Sequence, residues 1–164
     1  MKTLVLGGYG NFGARICRAL ASDASIQLFI GGRNLQQAVA LADELGHDAQ
    51  GIGIDLNTTN FAQTLREQGI ELLIHTAGPF QQQDYNVAIA AAAAGAHYID
   101  LADGRRFVCD FSKAMDTAFH SAERTAICGA STVPALSSAV IDSLCEGWQR
   151  IDTIDTCIAP AQTA

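Results

Sequence analysis

The residues best placed to do chemistry are the glycines that follow the first apolar run of the chain. Gly8, Gly10 and Gly13 have the spacing G-x-G-x-x-G. They follow Leu4-Val5-Leu6, which is typical of a buried strand, and they precede a segment with apolar residues at helical spacing. In this strand-turn-helix context the pattern predicts a site for the pyrophosphate of a dinucleotide. A glycine-rich turn that serves packing alone is the alternative interpretation.

Each of the three glycines has an expected task in such a site. Gly8 would permit the tight turn, the missing side chain at Gly10 would let the backbone approach the pyrophosphate, and Gly13 would let the helix pack closely on the strand. The N-terminus of that helix offers unpaired N–H groups and the positive end of its dipole to a phosphate. An acidic protein can therefore still hold an anionic cofactor.

The residues after the second apolar run distinguish between the two common dinucleotides. An NAD-binding domain usually places Asp or Glu there to hold the ribose 2′-OH, but the chain has neither between Ala24 and Ala42. Instead it reads Gly31-Gly32-Arg33-Asn34. A guanidinium is planar, always charged and able to bond two oxygens at once, which suits a 2′-phosphate. The sequence thus predicts NADP(H) rather than NAD, with a solvated loop cation as the alternative role of Arg33.

Two further strand ends carry candidate site residues. Asp55-Leu56 ends the third strand, where the acid would either reach the adenine amino group or cap a helix. The fourth strand leads into the small-residue loop Thr76-Ala77-Gly78-Pro79-Phe80. Since ligands of open α/β sheets lie outside the carboxyl ends of the strands, we expect this loop to pass along the pyrophosphate and the nicotinamide ribose. His75 just before it is either a core histidine satisfied by backbone or a catalytic group.

The elements that must position these residues alternate along the chain. Six short β-rich runs are candidate strands, and segments of helical period lie between them. The six are 3–6, 26–30, 51–55, 72–76, 97–101 and 126–130, and residues 151–158 are a candidate seventh. Several runs are apolar on both faces, which predicts a parallel sheet covered on both sides. The expected fold is an α/β doubly wound (Rossmann) domain of six to seven strands with helices on both faces.

Polar residues and glycines mark the ends of the predicted helices. Asn34, Asn60 and Asp84 are placed as N-caps, and Gly46 is placed as a helix terminator. Residues 88–95 are nearly pure alanine. We interpret them as a buried helix whose small side chains allow close approach, rather than as low-complexity disorder.

Composition excludes several classes of function. The 164 residues are 49% hydrophobic and 16% charged, which fits one compact domain and excludes intrinsic disorder. No apolar run approaches the roughly 20 residues that span a bilayer. The net charge of −7 opposes binding to nucleic acid. We therefore expect no membrane and no nucleic acid among the partners.

The cysteines and histidines give no indication of a metal or a disulfide framework. The five cysteines are scattered and never form C-x-x-C. His47, His97 and His120 lack the spacing of metal ligands. With an N-terminus that does not read as an export signal, these features predict free thiols, no metal site and a cytoplasmic location.

Four segments together resemble the saccharopine dehydrogenase-like (saccharopine reductase-like) NADP-binding domains. In chain order they run through nearly the whole sequence, and the AGPF loop followed by YIDLADG is much more specific than the glycine pattern. The segments are VLGGYGNFG at 5–13, GGRN at 31–34, HTAGPFQQQDYNVAIAAAAAGAHYIDLADG at 75–104 and GASTVPALSSAVID at 129–142. His75 departs from the asparagine common at this position in relatives.

The resemblance implies which residues contact the cofactor. The pyrophosphate would lie on Gly8, Gly10, Asn11, Phe12 and Gly13. The 2′-phosphate would lie on Arg33, with Gly32 and Asn34 in the same loop, and the nicotinamide half would lie beside residues 76–79.

The resemblance also implies contacts with both cofactor and substrate at Leu101-Ala102-Asp103. Asp103 is the candidate for a polar group near the reacting carbon. Asp100, turned into the sheet, and a purely structural turn at Asp103-Gly104 are the alternatives. The segment Ser131-Thr132-Val133-Pro134 opens the sixth helix and would form another wall of the cleft.

The resemblance implies an oxidoreductase that transfers hydride between NADPH and an imine or carbonyl carbon of a small, amino-acid-like substrate. Residues 1–150 would form the dinucleotide-binding domain. Residues 151–164 would begin a following domain for dimerisation and substrate binding. The alternative is a non-catalytic NADP-binding or redox-sensing module. No tyrosine has a lysine four residues later, which excludes the proton-transfer pair of short-chain dehydrogenases within these residues.

Overall fold

The computed structural model of the chain describes residues 1–157. Six strands and six α-helices alternate, and a kinked segment, Thr132–Leu136, with Val133 in an extended conformation (φ −127°, ψ 120°), precedes the last helix. The strands are β1 Lys2–Leu6, β2 Gln27–Gly32, β3 Gln50–Gly53, β4 Leu72–His75, β5 His97–Asp100 and β6 Ala126–Ile127. The helices are α1 Asn11–Leu20, α2 Leu35–Leu45, α3 Phe61–Gln68, α4 Asn86–Ala94, α5 Arg105–Ser121 and α6 Ser137–Leu144.

The strands form one parallel sheet in the order β3-β2-β1-β4-β5-β6. This is the doubly wound α/β architecture that the sequence predicts. The chain leaves β1 toward β2 and later returns to β4 on its other side, so the strand order reverses between β1 and β4. In such sheets the crevice at the carboxyl ends of these two strands is where ligands bind.

Burial on both faces of the sheet explains the continuous apolar runs. In β1, Leu4 and Leu6 join the core on the face of α3, α4 and α5, whereas Val5 joins the core on the other face with Cys17 of α1 and Ala38 of α2. All three β1 side chains are almost completely buried. Strands covered on both sides need apolar residues at successive positions, as parallel sheets generally do.

The strands predicted over 72–76 and 97–101 each end one residue early, and two others end earlier still. The strand predicted over 126–130 stops at Ile127, because the chain turns at Gly129, where φ is +80°. The strand predicted over 51–55 stops at Gly53, before the turn that begins at Asp55. Residues 151–157 form no regular secondary structure, and Ile158, the end of the candidate seventh strand, lies outside the described residues.

The predicted helix boundaries are confirmed in part. The side chain of Asn34 accepts the N–H of the third residue of α2, and Gly46 ends that helix with φ +63°. Asn60 stands before α3, but its side chain makes no capping hydrogen bond. Asp84 lies two residues before α4 and accepts the backbone N–H of Asn86 at 3.0 Å.

The alanine-rich segment is a buried helix, as predicted. Val87, Ala88, Ala91 and Ala92 of α4 are buried between neighbouring elements. By contrast, α6 contains no buried residue. Among the described residues, the helices are all too short or too polar to cross a membrane.

Candidate functional site

The glycine turn between β1 and α1 is held against β2. The N–H groups of Gly7 and Gly8 both donate to the carbonyl of Gly31, at 2.8 and 3.1 Å. The positive φ of the turn, +80°, lies at Gly7 and not at Gly8, where the sequence placed the tight turn. Gly8 is required for a different reason: a Cβ there would lie 2.8 Å from both the Val5 carbonyl oxygen and Ile30 Cγ2.

The other two glycines of the pattern differ in what surrounds them. A Cβ on Gly13 would collide with the carbonyl of Gly7 and lie 2.7 Å from Gly8 Cα, so α1 sits directly on the turn. A Cβ on Gly10 would meet only the Gly7 carbonyl oxygen, at 3.2 Å, and otherwise open space. Close packing therefore requires Gly13, whereas at Gly10 the backbone is open to an approaching molecule.

The N-terminus of α1 is without capping groups. Gly10 precedes the helix and has no side chain to cap it, and the first turn contains no acidic residue. The N–H groups of Asn11, Phe12 and Gly13 have no hydrogen-bond partner within residues 1–157. Three unpaired donors and the positive end of the helix dipole suit an anion such as a pyrophosphate.

Tyr9 fixes the loop that carries the predicted 2′-phosphate residues. Its hydroxyl oxygen accepts the backbone N–H of Asn34 at 2.9 Å. A Cβ on Gly32 would lie 2.6 Å from the Tyr9 hydroxyl oxygen, so Gly32 leaves room for this ring. Arg33, between Gly32 and Asn34 in the sequence, is exposed and forms no ion pair with any of the described residues.

Sequence reasoning missed the role of Tyr9. The residue stands inside the glycine pattern, at a position that accepts any side chain. The signal that could have found it is Gly32, since a glycine at the end of a strand indicates that another group lies close against it.

A cavity of about 460 Å³ lies at the carboxyl ends of β1, β2 and β3. Gly10, Arg33, Asp55 and Leu56 line it together with Thr76. Four segments far apart in sequence thus meet in one cleft, as the parallel topology predicts.

Asp55 does not cap a helix, which was one of its two predicted roles. It lines this cavity, and its Oδ1 accepts the backbone N–H and the side-chain amide of Asn57, at 3.0 and 3.1 Å. The carboxylate therefore stabilises its own loop through one oxygen. The turn that it caps is this loop and not the start of α3.

A second cavity, of about 260 Å³, adjoins the first, and Thr76 and Gly78 line both. Its walls combine the segments that follow β4 and β5 with the start of α1 and the segment after β6. They are Phe12, Thr76, Gly78, Pro79, Phe80, Gln81, Leu101, Asp103 and Ser131. Phe12 is 67% exposed, which is unusual for a phenylalanine and leaves its ring free at the cavity mouth.

The two acidic residues at and just after the end of β5, Asp100 and Asp103, have different roles. Asp100 is completely buried, and its Oδ1 accepts the N–H groups of Ala102 at 3.0 Å and of Gly129 at 2.7 Å. It thereby ties the loop after β5 to the turn after β6. Asp103 is exposed in the second cavity, where its Oδ1 accepts the side-chain amide of Gln81 at 3.1 Å.

Several predicted residues support the site without lining it. Ala102 is fully buried, Asn34 caps α2, and Gly8 and Gly13 lie beneath the turn. Thr76 both lines the site and supports it, because its hydroxyl donates to the carbonyl of Leu6 at 2.8 Å.

His75 is 1% exposed, which agrees with a core histidine. Its hydrogen bond goes to a side chain, however, whereas the core interpretation predicted a backbone partner. Its Nε2 lies 3.0 Å from Oε1 of Gln83. The Gln83 amide nitrogen donates to the carbonyls of Ala77 at 2.8 Å and Pro79 at 2.9 Å. Burial lowers the pKa of His75, so the ring is neutral near pH 7. Gln83 is a second contributor that sequence reasoning missed.

Among residues 1–157 there is no group of three or more His, Cys, Asp or Glu side chains that could hold a metal ion.

Three solved structures share this fold. Apo saccharopine dehydrogenase (L-Glu forming) from Saccharomyces cerevisiae matches with TM-score 0.72 and 17% identity, covering 88% of this chain and 30% of that one. Yeast methylglyoxal/isovaleraldehyde reductase complexed with NADPH matches with TM-score 0.59 and 14% identity, covering 78% and 54%. Biliverdin reductase from Synechocystis, in complex with biliverdin and NADP+, matches with TM-score 0.54 and 16% identity, covering 77% and 37%. At these identities the likeness concerns the fold, and this chain spans about 30% of the length of the saccharopine dehydrogenase.

The comparison with protein families agrees with the NADP(H) site that the geometry indicates. No curated protein matches the chain. The family model described as the saccharopine dehydrogenase NADP binding domain matches residues 3–142, which include the glycine turn, the Arg33 loop and both cavities. The unpaired N–H groups at α1, the open face of Gly10 and the unpaired Arg33 all fit NADP(H). The chain belongs to the saccharopine dehydrogenase NADP-binding domain family, and its cofactor is NADP(H).

Proposed function

We propose that this domain serves an oxidoreductase that transfers hydride between NADP(H) and an imine or carbonyl carbon of a small, amino-acid-like substrate. The observation that carries the proposal is the pair of adjoining cavities along the carboxyl edge of the sheet. They extend from Arg33 at one end to Asp103 at the other. One end has a cation for a phosphate, and the other has apolar walls with one carboxylate.

The larger cavity and the adjacent N-terminus of α1 supply the groups that would hold the adenosine and phosphate half. The N–H groups of Asn11, Phe12 and Gly13 would bind the pyrophosphate, because they are unpaired and lie at a helix N-terminus. Arg33 would bind the 2′-phosphate, and Asp55 with Leu56 would contact the adenine. Backbone donors and one guanidinium are sufficient for an anionic ligand in a protein of net charge −7.

The smaller cavity would hold the nicotinamide half and the reacting carbon. When bound, NADP(H) supplies or accepts the hydride. Phe12, Pro79 and Leu101 line the cavity with apolar surface, which limits water near the reacting carbon. Asp103 would hold a polar group of the substrate, such as its nitrogen, and Gln81 orients that carboxylate.

A specific observation supports a second candidate, a non-catalytic NADP-binding or redox-sensing module. Asp103 is the one titratable side chain of the described residues that lines the smaller cavity. Hydride transfer to an imine or carbonyl needs a proton at the product nitrogen or oxygen, so an active enzyme requires a further donor or solvent. We therefore expect residues 1–164 alone to bind NADPH with little turnover. A following domain would supply the rest of the substrate pocket and would also form a homodimer.

Binding and turnover measured separately test both candidates. Wild-type protein should bind NADPH more tightly than NADH in a fluorescence titration. Arg33→Ala should reduce that preference by about tenfold to a hundredfold, which corresponds to the roughly 1.5–3 kcal/mol of a hydrogen bond to a charged group. An unchanged preference in Arg33→Ala would refute the 2′-phosphate assignment. Efficient reduction of imines, keto acids or aldehydes by residues 1–164 alone would contradict the need for a further domain.

A further inference from the structure

The orientation of the Gln83 side chain is fixed by its two backbone partners. Its amide nitrogen lies 2.8 Å from the Ala77 carbonyl oxygen and 2.9 Å from the Pro79 carbonyl oxygen. Carbonyl oxygens only accept hydrogen bonds, so the end of the amide that faces them must be the NH₂ group. The reversed amide would set three oxygens against one another. Oε1 of Gln83 therefore points the other way, toward His75.

This orientation determines which ring nitrogen of His75 carries the proton. Oε1 of Gln83 is an acceptor, and His75 Nε2 lies 3.0 Å from it, so Nε2 must donate. In a neutral imidazole the other nitrogen, Nδ1, is then unprotonated, and Nδ1 is buried without a hydrogen-bond partner among the described residues. The edge-on contact with the Phe80 ring, at a centroid distance of 4.9 Å, further restricts the imidazole.

We propose that His75 is a positioning residue for the cofactor site, acting through Gln83 on the loop between β4 and α4. The Nε2–H of His75 holds the Gln83 amide in one orientation. That amide in turn holds the carbonyls of Ala77, which lines the larger cavity, and Pro79, which lines the smaller one. A single side chain thus fixes the walls of both cavities relative to the end of β4. The inference rests on the proposed cofactor site only for what occupies those cavities.

A histidine that merely fills space in the core does not require this arrangement. Such a ring would serve as well in either tautomer, and a neighbouring loop would not depend on its proton. Here the Nδ1–H tautomer would place a lone pair of Nε2 against Oε1 of Gln83 at 3.0 Å. The tautomer and the shape of the loop are therefore predicted to change together.

The first test uses the protein without cofactor. Nitrogen-15 NMR of the imidazoles at pH 7.5 should show His75 as the neutral Nε2–H tautomer, assigned by the loss of its signal in His75→Gln. An Nδ1–H tautomer or an imidazolium at this pH would overturn the proposal. In Gln83→Ala, the amide signals of residues 76–80 should shift, whereas they should stay in place in Gln82→Ala. Gln82 is the matched control, since it is exposed and makes no hydrogen bond within the described residues.

The second test compares two replacements of His75 in NADPH titrations. A glutamine places its amide nitrogen near the position of imidazole Nε2, whereas an asparagine reaches only as far as Nδ1. His75→Gln and Gln82→Ala should bind NADPH within about twofold of wild type. His75→Asn and Gln83→Ala should bind about tenfold more weakly, the equivalent of one or two lost hydrogen bonds.

Equal weakening by His75→Gln and His75→Asn, or unchanged binding by Gln83→Ala, would overturn the positioning role. Gln83 also lines the larger cavity, so weaker NADPH binding by Gln83→Ala supports the positioning role only together with the shifts of residues 76–80 in the protein without cofactor. Because Gln83 is only partly buried, this variant should fold even if a His75 variant does not. A wild-type protein that bound no NADPH would refute the proposed function instead. The tautomer and the loop shifts would still decide the inference about His75.

Discussion

Alanine substitutions at Gly10 and Gly13 should separate cofactor binding from folding. Both glycines belong to the same G-x-G-x-x-G pattern and lie three residues apart. A methyl group at Gly13 would meet the backbone of Gly7 and Gly8, whereas one at Gly10 would meet a single carbonyl oxygen at 3.2 Å. The two variants therefore differ in what the added carbon displaces, although the chemical change is identical.

The structure sets the expected change in stability for each variant. In Gly13→Ala, backbone atoms of the turn must move, and overpacking of this kind costs about 1–3 kcal/mol. The better helix propensity of alanine returns up to about 1 kcal/mol, so a net loss of about 1–2 kcal/mol should lower Tm by roughly 2–8 °C. Gly10 has φ −75° and ψ 174°, which alanine adopts freely. Gly10→Ala should therefore change Tm by less than about 2 °C.

NADPH binding should show the opposite order of sensitivity. The methyl group of Gly10→Ala lies in the open space where the pyrophosphate would approach the backbone, so its NADPH Kd should rise at least about tenfold. Differential scanning fluorimetry without ligand measures stability, and a fluorescence titration measures Kd. If Gly10→Ala lost as much stability as Gly13→Ala, or bound NADPH as tightly as wild type, the assignment of the open face of Gly10 to the cofactor would be refuted.

Three further outcomes follow from particular contacts. Tyr9→Phe keeps the ring against Gly32 but removes the acceptor of the Asn34 N–H. The free energy of unfolding measured in urea should fall by about 0.5–1.5 kcal/mol, and the preference for NADPH over NADH should fall as well. An unchanged preference would show that the hydroxyl does not position the Arg33 loop. Burial lowers the pKa of His75 below the 6.5 of the unfolded chain, so below about pH 6.5 the unfolded state binds the extra proton and stability should fall as pH falls. In urea titrations at pH 5.5 and 7.5, His75→Gln should lose less stability than wild type, and an equal loss would contradict the assignment. Burial also raises the pKa of the Cys17 thiol to about 12 from an ordinary 9.0. At pH 8 a thiol reagent should therefore modify the exposed Cys109 and Cys157 first and Cys17 only on unfolding, as mass spectrometry of labelled peptides would show.

The sequence determined the order of the elements and the edge of the sheet that carries the site. Continuous apolar runs require a sheet covered on both faces, and parallel strands bring all their carboxyl ends to one edge. Local chemistry also fixed the Asn34 cap and the Gly46 terminus of α2, because these depend on residues within one turn of the helix. The family resemblance of the four segments was readable for the same reason, since each segment is a contiguous run.

Only the tertiary structure determines which residues from separate elements contact one another. Tyr9 contacts Gly32 and Asn34, and Asp100 joins Ala102 to Gly129; neither pairing has a spacing in the sequence that indicates it. Such contacts depend on the direction in which each side chain leaves its element and on the register of strands far apart in the chain.

The ends of the strands and the protonation of the buried ring were decided in the same way. β6 stops at Ile127 because of the turn at Gly129, whose N–H is held by Asp100. The tautomer of His75 follows from two carbonyls that face Gln83. The residue types restrict the chemistry that a site can perform, but only their positions in three dimensions determine which donor faces which acceptor.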